Sequence, residues 1–220
     1  MTKIIGLNVG RNLRCVNGRG WVDPSTRALC YLPIDEEQEQ EQPLTFRDAD
    51  FEDVSYPHKT IHYDPEFATF TYGHAWRGFG DRRLRDMKTG DILFSFSTLD
   101  LLPDRKRWGT FIIGFFLVET VIDAQDLSPD DIRRLAGFEN NAHLRYKIPK
   151  AHLLIKGSHG SRLYNTALPL SDPLDGGRVH SSLRGIIFTA GGKTVDRGPW
   201  YRWVLCSDDK RLAATLREHS

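Results

Sequence analysis

Residues 111–118, FIIGFFLV, form a near-continuous apolar run. Such a run reads as a strand covered on both faces, and it is far too short to span a bilayer. Gly114 inside it predicts a bulge or a close backbone approach. A second apolar segment, residues 92–96 (ILFSF), precedes it as another strand. Between them lies a loop, residues 97–109, with Pro103, Arg105, Lys106, Arg107 and Trp108. Two buried strands joined by a positively charged, Trp-bearing loop suit a small β-barrel that offers a pocket to a flat ligand. Residues 61–123 are therefore the stretch around which the chain is organised.

Upstream, residues 61–80 carry Phe67, Phe70, Tyr72, Trp76 and Phe79 among Gly73, Gly78 and Gly80. So many rings with so many glycines match neither helical nor strand periodicity. Asp64-Pro65 starts a turn there. Residues 82–87 read as a short helix with Asp81 as N-cap, ended by Gly90. Residues 3–9 and 28–34 read as strands, the second confined to an edge or an end by Pro33. Residues 128–135 read as a helix with Ser128 at the N-cap and Pro129 at its first position. Strands are expected at 152–155, 185–189 and 200–205, and residues 161–170 are ambiguous. Ser207 is expected to cap a last helix that packs through Leu212 and Leu216. The sum is one α/β (α+β) domain over residues 1–220, with an acidic insertion around residues 35–55. Residues 35–42, DEEQEQEQ, cannot contribute to a core and read as a flexible insertion or a solvated helix.

The net charge of +1 excludes a polybasic wrapper for nucleic acid, so any electrostatic footprint must be local. Residues 140–171 hold no acid but carry Arg145, Lys147, Lys150, Lys156 and Arg162, with His143, His152 and His159. Arg82, Arg83 and Arg85 make a second basic group, and residues 105–107 a third. Cys15, Cys30 and Cys206 are odd in number and lack CxxC spacing, which argues against a disulfide framework and fits a reducing cytoplasm. No leader pattern or membrane span is visible, and no cofactor fingerprint is present. The Gly-Gly-Lys-Thr at 191–194 lacks the first glycine of a phosphate loop, and residues 157–161 have His159 where a nucleophile elbow needs serine.

Several motifs, in order, resemble a known family. They are Asn8-Val9-Gly10-Arg11-Asn12, Leu32-Pro33-Ile34-Asp35-Glu36, Tyr63-Asp64-Pro65-Glu66-Phe67 and Thr71-Tyr72-Gly73. They continue with Gly90-Asp91-Ile92-Leu93-Phe94, Ile113-Gly114-Phe115-Phe116, Lys156-Gly157 and Ser161-Arg162-Leu163. Together they resemble the nucleotide-modification-associated domain, third type, and more broadly the PUA-like group that includes EVE, YTH and ASCH domains. The narrower resemblance implies association with modified nucleotides. The broader one implies a β-barrel holding a flipped, often modified base between aromatic rings. The chain departs from the family pattern at His74 and at residues 95–98.

Reading an extruded base needs a ring face above and below it and hydrogen bonds to its edge. Tyr72, Trp76 and Trp108 are the candidate rings, with Ser95, Ser97 and Asp64 for the edge. The plainer alternative is that these rings only pack the core and loops. Arg105, Lys106, Arg107, Lys156, Ser161 and Arg162 are the candidate phosphate contacts. His58 and His62 are four apart, but Pro57 and Pro65 make a helix unsuited to them, so no metal site is expected. The first functional reading is a non-enzymatic binder of a modified base or nucleotide, its partner DNA, RNA or a free nucleotide. The alternative is an enzyme in which His62, Asp64 and His74 supply acid–base chemistry. A third is a scaffold whose acidic arm binds a protein.

Overall fold

The computed structural model describes residues 2–10, 19–51, 54–75, 81–103, 105–172, 175–189, 192–196 and 204–219. In chain order its first strands are β1 (Ile4–Asn8), β2 (Trp21–Val22), β3 (Leu29–Cys30), β4 (Ile34–Asp35), β5 (Ile61–His62) and β6 (Thr71–His74). Then come β7 (Ile92–Leu101), β8 (Trp108–Asp123), β9 (Leu153–Gly157), β10 (Arg162–Pro169), β11 (Ser171–Asp172), β12 (Asp175–Val179), β13 (Phe188–Thr189) and β14 (Val204–Ser207). The helices are α1 (Asp81–Arg85), α2 (Pro129–Arg133) and α3 (Lys210–Glu218).

The antiparallel pair β7–β8 is the centre, and both strands outrun their apolar cores. Residues 97–101 continue β7 although Ser97, Thr98 and Asp100 are polar, and all three are buried. Asp100 tolerates burial because Arg19 donates to its carboxylate, with Nε at 2.7 Å. Trp108, expected in a loop, is the first residue of β8 and pairs with Asp100.

Every residue of β7 is buried, because an apolar layer covers each face of the sheet. Leu93, Leu99 and Leu101 face one layer, and Ile92, Phe94 and Phe96 face the other. Strand β8 switches parity midway. Phe111 and Ile113 share the first layer with Phe116 and Val118, which strict alternation forbids. The register against β7 slips between Ser95 and Phe96, opposite Gly114 and Ile112, so one extra residue is accommodated there. Gly114, beside the bulge, lets β10 approach closely: a Cβ on it would lie 2.5 Å from the Arg162 carbonyl oxygen.

The main sheet runs β13-β14-β1-β7-β8-β9-β6, with β10 beside β8 and β2 and β3 beside the far end of β7. The β1–β7 and β2–β7 pairings are parallel and the rest antiparallel, so the sheet is mixed. It does not close into a barrel; β13 and β6 are its two ends. The expected small β-barrel is therefore corrected to an open mixed sheet in an α+β architecture. Closure is not needed here, because side layers bury both faces and the end strands are only two and four residues long.

The short helices follow their capping chemistry. Ser128 caps α2 by accepting from the Asp131 N–H, and Pro129 opens it. Helix α3 is capped by Asp209, not Ser207, which ends β14; Leu212 and Leu216 pack inward as expected. The acidic stretch is neither a free arm nor a helix. Strand β4 pairs with β5, Gln40 bridges to Tyr146, and Glu39 meets Lys147 at 3.1 Å. Among the described residues no helix is long and apolar enough to cross a membrane.

Replacing Gly114 by alanine should force β10 away from β8 and destabilise the fold by about 1–3 kcal/mol. Urea unfolding measures this, with an unchanged slope and a lower midpoint as the expected outcome.

Candidate functional site

Strands β4 and β5 pair with Ile34 opposite His62. Glu36, just beyond β4, therefore reaches the His62 ring, and its Oε2 lies 2.8 Å from Nδ1. Asp64 lies two residues beyond His62, at the entry to the turn before β6. Its side chain is almost fully buried and accepts twice from the Gly73 backbone N–H, at 3.0 and 3.1 Å. The segment after α2 completes the arrangement. His143 places Nε2 3.2 Å from Asp64 Oδ2, and His62 Nε2 stands 3.9 Å from the same oxygen. The two imidazoles meet edge to face, with ring centroids 4.9 Å apart.

Supporting groups fix each member. Asn141 Nδ2 donates to Thr71 Oγ1 at 3.2 Å and reaches Asp64 Oδ1 at 3.4 Å. The Tyr146 hydroxyl donates to Glu36 Oε2 at 2.9 Å. Gly73 is required by space, because a Cβ there would lie 2.2 Å from His143 Cδ2. These groups line a cleft of about 490 Å³, together with Asn8 at the end of β1 and Tyr72 and His74 on β6. Tyr72 and His74 are coupled, hydroxyl to Nδ1, at 3.2 Å. Among the described residues, the Asn8 amide nitrogen and His143 Nδ1 are buried without a hydrogen-bond partner. Buried polar atoms of that kind are uncommon and mark places where a ligand or water belongs.

The electrostatics follow from this packing. Burial pulls the Glu36 carboxyl up, but hydrogen bonds from His62, the Gln38 N–H and Tyr146 outweigh it and hold it at about 2. Burial pulls the His62 imidazole down, yet its bond to Glu36 and the charges of Asp64 and Glu36 leave it above its ordinary value. Tyr146 is pushed up by burial and by Glu36. As to metals, one donor atom from each of His62, Asp64 and His143 lies within 4.8 Å of the others.

A family model described as nucleotide modification associated domain 3 matches residues 3–220. The chain belongs to that family. No curated protein and no solved structure shows significant similarity to it. The family membership ties the chain to modified nucleotides and leaves binding and catalysis both open. The wider PUA-like grouping rests on the sequence motifs alone.

The candidate residues read from the sequence do not all meet. Asp64, His62, His74 and Tyr72 share the cleft. Trp76 lies outside the described residues. Trp108 sits at the start of β8 against the layer that α3 covers, and it does not line the cleft. Ser95 and Ser97 are buried within β7 and do not line it either. Lys156 Nζ donates to the Thr69 and Gly137 carbonyls, at 2.7 and 2.8 Å, and so ties two loops together. Ser161 Oγ accepts from the Leu117 N–H at 3.0 Å. Arg162 is exposed, with its guanidinium 5.9 Å from the Phe115 ring centroid. Arg105, Lys106 and Arg107 are exposed at the β7–β8 connection, away from the cleft lining. His58 lies in an exposed turn rather than beside His62 on a helix. Glu36, Asn141, His143 and Tyr146 were not singled out as site residues from sequence. Glu36 and Asn8 nevertheless fall inside two of the ordered motifs, and that was the available signal.

A second cavity, of about 560 Å³, lies between β14 and the β13 region. Its Lys3 Nζ is taken up by the Asp86 carbonyl, and burial pushes its Cys206 thiol up. It assembles no comparable donor set.

Gly73→Ala should drive the His143 ring off Asp64 and cost about 1–3 kcal/mol of stability; denaturant unfolding and the imidazole NMR signals report the two effects. The Glu36–His62 pair carries a pH signature in the metal-free protein. The Glu36 contribution is fully present above 4.5 and is lost as pH falls towards about 2. The His62 contribution is fully present below 6.5 and is lost as pH rises through its raised folded value. The stability gap between wild type and Glu36→Gln should therefore be widest between pH 4.5 and 6.5, and melting temperatures across pH test it.

Proposed function

We propose that the cleft takes a nucleoside or modified base and acts on it chemically, with Asp64 between His62 and His143 as the reactive centre. The observation that carries this is the shared oxygen: both imidazole Nε2 atoms are directed at Asp64 Oδ2 in an open cleft. A carboxylate flanked by two imidazoles can move protons or organise an electrophile, whereas simple recognition of a base does not require it. Family membership supplies the substrate class.

Recognition falls to the rest of the lining. Tyr72 offers a ring face, and Asn8 offers an amide donor that lacks an acceptor among the described residues. These suit a base edge and face. The described lining carries Asp35, Glu36 and Asp64 and no lysine or arginine. The described lining thus gives a phosphate no cationic partner, although Lys59 just outside it pairs with Asp35, so the base or nucleoside is the part placed in the cleft. The exposed cations at 105–107 and Arg162 could meet the backbone of a longer nucleic acid only beyond the cleft.

A panel of modified nucleosides, nucleotides and oligonucleotides tests this, with binding followed by calorimetry and products by mass spectrometry. Asp64→Asn should lower turnover by about 100-fold or more while binding persists. Tyr72→Ala should weaken binding by about 1–3 kcal/mol. Binding without any product would leave a reader of modified bases. If no member of the panel binds at low salt, the nucleotide reading is wrong.

A further inference from the structure

The geometry points to a divalent transition-metal site at this centre, with His62 Nε2, Asp64 Oδ2 and His143 Nε2 as its protein ligands and open positions facing the cleft. This deepens the reading above and rests on its choice of cleft. Three protein ligands with a free side are the arrangement of a catalytic rather than a structural metal. Two imidazoles and one carboxylate suit first-row transition ions, which sulfur-free sites with fewer oxygens hold better than they hold Mg²⁺ or Ca²⁺.

The distances fit. Nitrogen and oxygen ligands at metal-bond length lie about 3.0–3.5 Å apart around one ion. His143 Nε2 and Asp64 Oδ2 are 3.2 Å apart, already within that range. His62 Nε2 is 3.9 Å from the same oxygen, so its ring has to close by under about 1 Å. Two of the three ligands are also oriented from behind. Glu36 holds His62 Nδ1 at 2.8 Å, which leaves Nε2 to point at the ion, and Tyr146 holds Glu36. The Gly73 N–H fixes the Asp64 carboxylate. A carboxylate behind a histidine is the usual outer support of a metal-bound imidazole.

Charge gives an independent reason. Asp35, Glu36 and Asp64 line the cleft; Lys59 pairs with Asp35 at 2.6 Å, and no lysine or arginine of the described lining stands against Glu36 and Asp64. An anionic nucleotide does not match such a surface, but a divalent cation does. Once bound, the cation reverses the local sign and gives an oxygen or nitrogen of the incoming base a partner.

The test is titration of metal-stripped protein with Co²⁺, followed by visible absorption, and with Zn²⁺, followed by calorimetry. One equivalent should bind, and excess Mg²⁺ should not displace it. His62→Ala and His143→Ala should each abolish binding, and Glu36→Gln should weaken it about 10–100-fold. His74→Ala, in the same cleft but outside the ligand set, should leave it unchanged. His62 is partly exposed, so His62→Ala carries the test if His143→Ala does not fold, as judged by its melting curve. The site is refuted if wild type binds no Co²⁺ or Zn²⁺, or if His62→Ala binds as wild type does. Nucleotide binding by the stripped protein is measured separately. Nucleotide without metal removes only the metal site, and metal without nucleotide removes only the nucleotide reading.

Discussion

The site depends on the burial of one carboxylate. Asp64 is 9% exposed, and an ionised side chain at that depth needs donors on every side. Its partners come from separate parts of the chain: the Gly73 N–H on β6 and Asn141 after α2 donate to it, and the imidazoles of His143 and of His62 on β5 stand 3.2 and 3.9 Å away. Satisfying one charge therefore fixes the relative positions of three segments. The same requirement explains why Gly73 has no side chain, since His143 fills the space a Cβ would take. Removing any single partner leaves the carboxylate underpaired, and an unpaired buried charge is far costlier than a lost surface contact.

The long strands serve this arrangement indirectly. The first half of β8 pairs with β7 and its second half with β9, and β9 in turn carries β6. The bulge at Gly114 lies near the point where β8 changes partners. A bulge adds local twist, and such twist is how one strand serves two neighbours in different directions. Strand β6 is thereby held as an end strand with its Tyr72 and His74 side open to the cleft. A closed barrel would have covered that edge.

What was legible in the sequence follows the range of the interactions. The apolar cores of β7 and β8, the glycine bulge and the Ser128-Pro129 start of α2 are local signals, and they read correctly. Residues 97–101 did not, because Asp100 is tolerated in a buried strand only through Arg19, eighty-one residues away. The site divides in the same way. His62, Asp64, Tyr72 and His74 stand close together in the chain, and the fold brings all four to one cleft. Glu36, His143 and Tyr146 join them across 26 to 84 residues, and of these only Glu36 falls inside one of the ordered motifs. Among the basic residues, Lys156 shows the same dependence on distant partners. Lys156 looked like a phosphate contact, but its ammonium is spent on two loop carbonyls.

The acidic segment changes meaning most. By composition it is a solvated insertion, because its residues cannot form a core. In place, Glu36 stands behind His62, and the neighbouring residues dock on the segment that carries His143 and Tyr146. Much of the run is offset, since Lys59 pairs with Asp35, Lys147 with Glu39 and Arg133 with Glu41, which leaves Glu36 as the carboxylate of this segment that faces the histidines. The usual electrostatic footprint of a nucleic-acid binder is the opposite, a basic surface facing the ligand. Under the proposed reading, the described lining takes a cation or the neutral part of a nucleotide, while the exposed cations at 105–107 and Arg162 lie outside it.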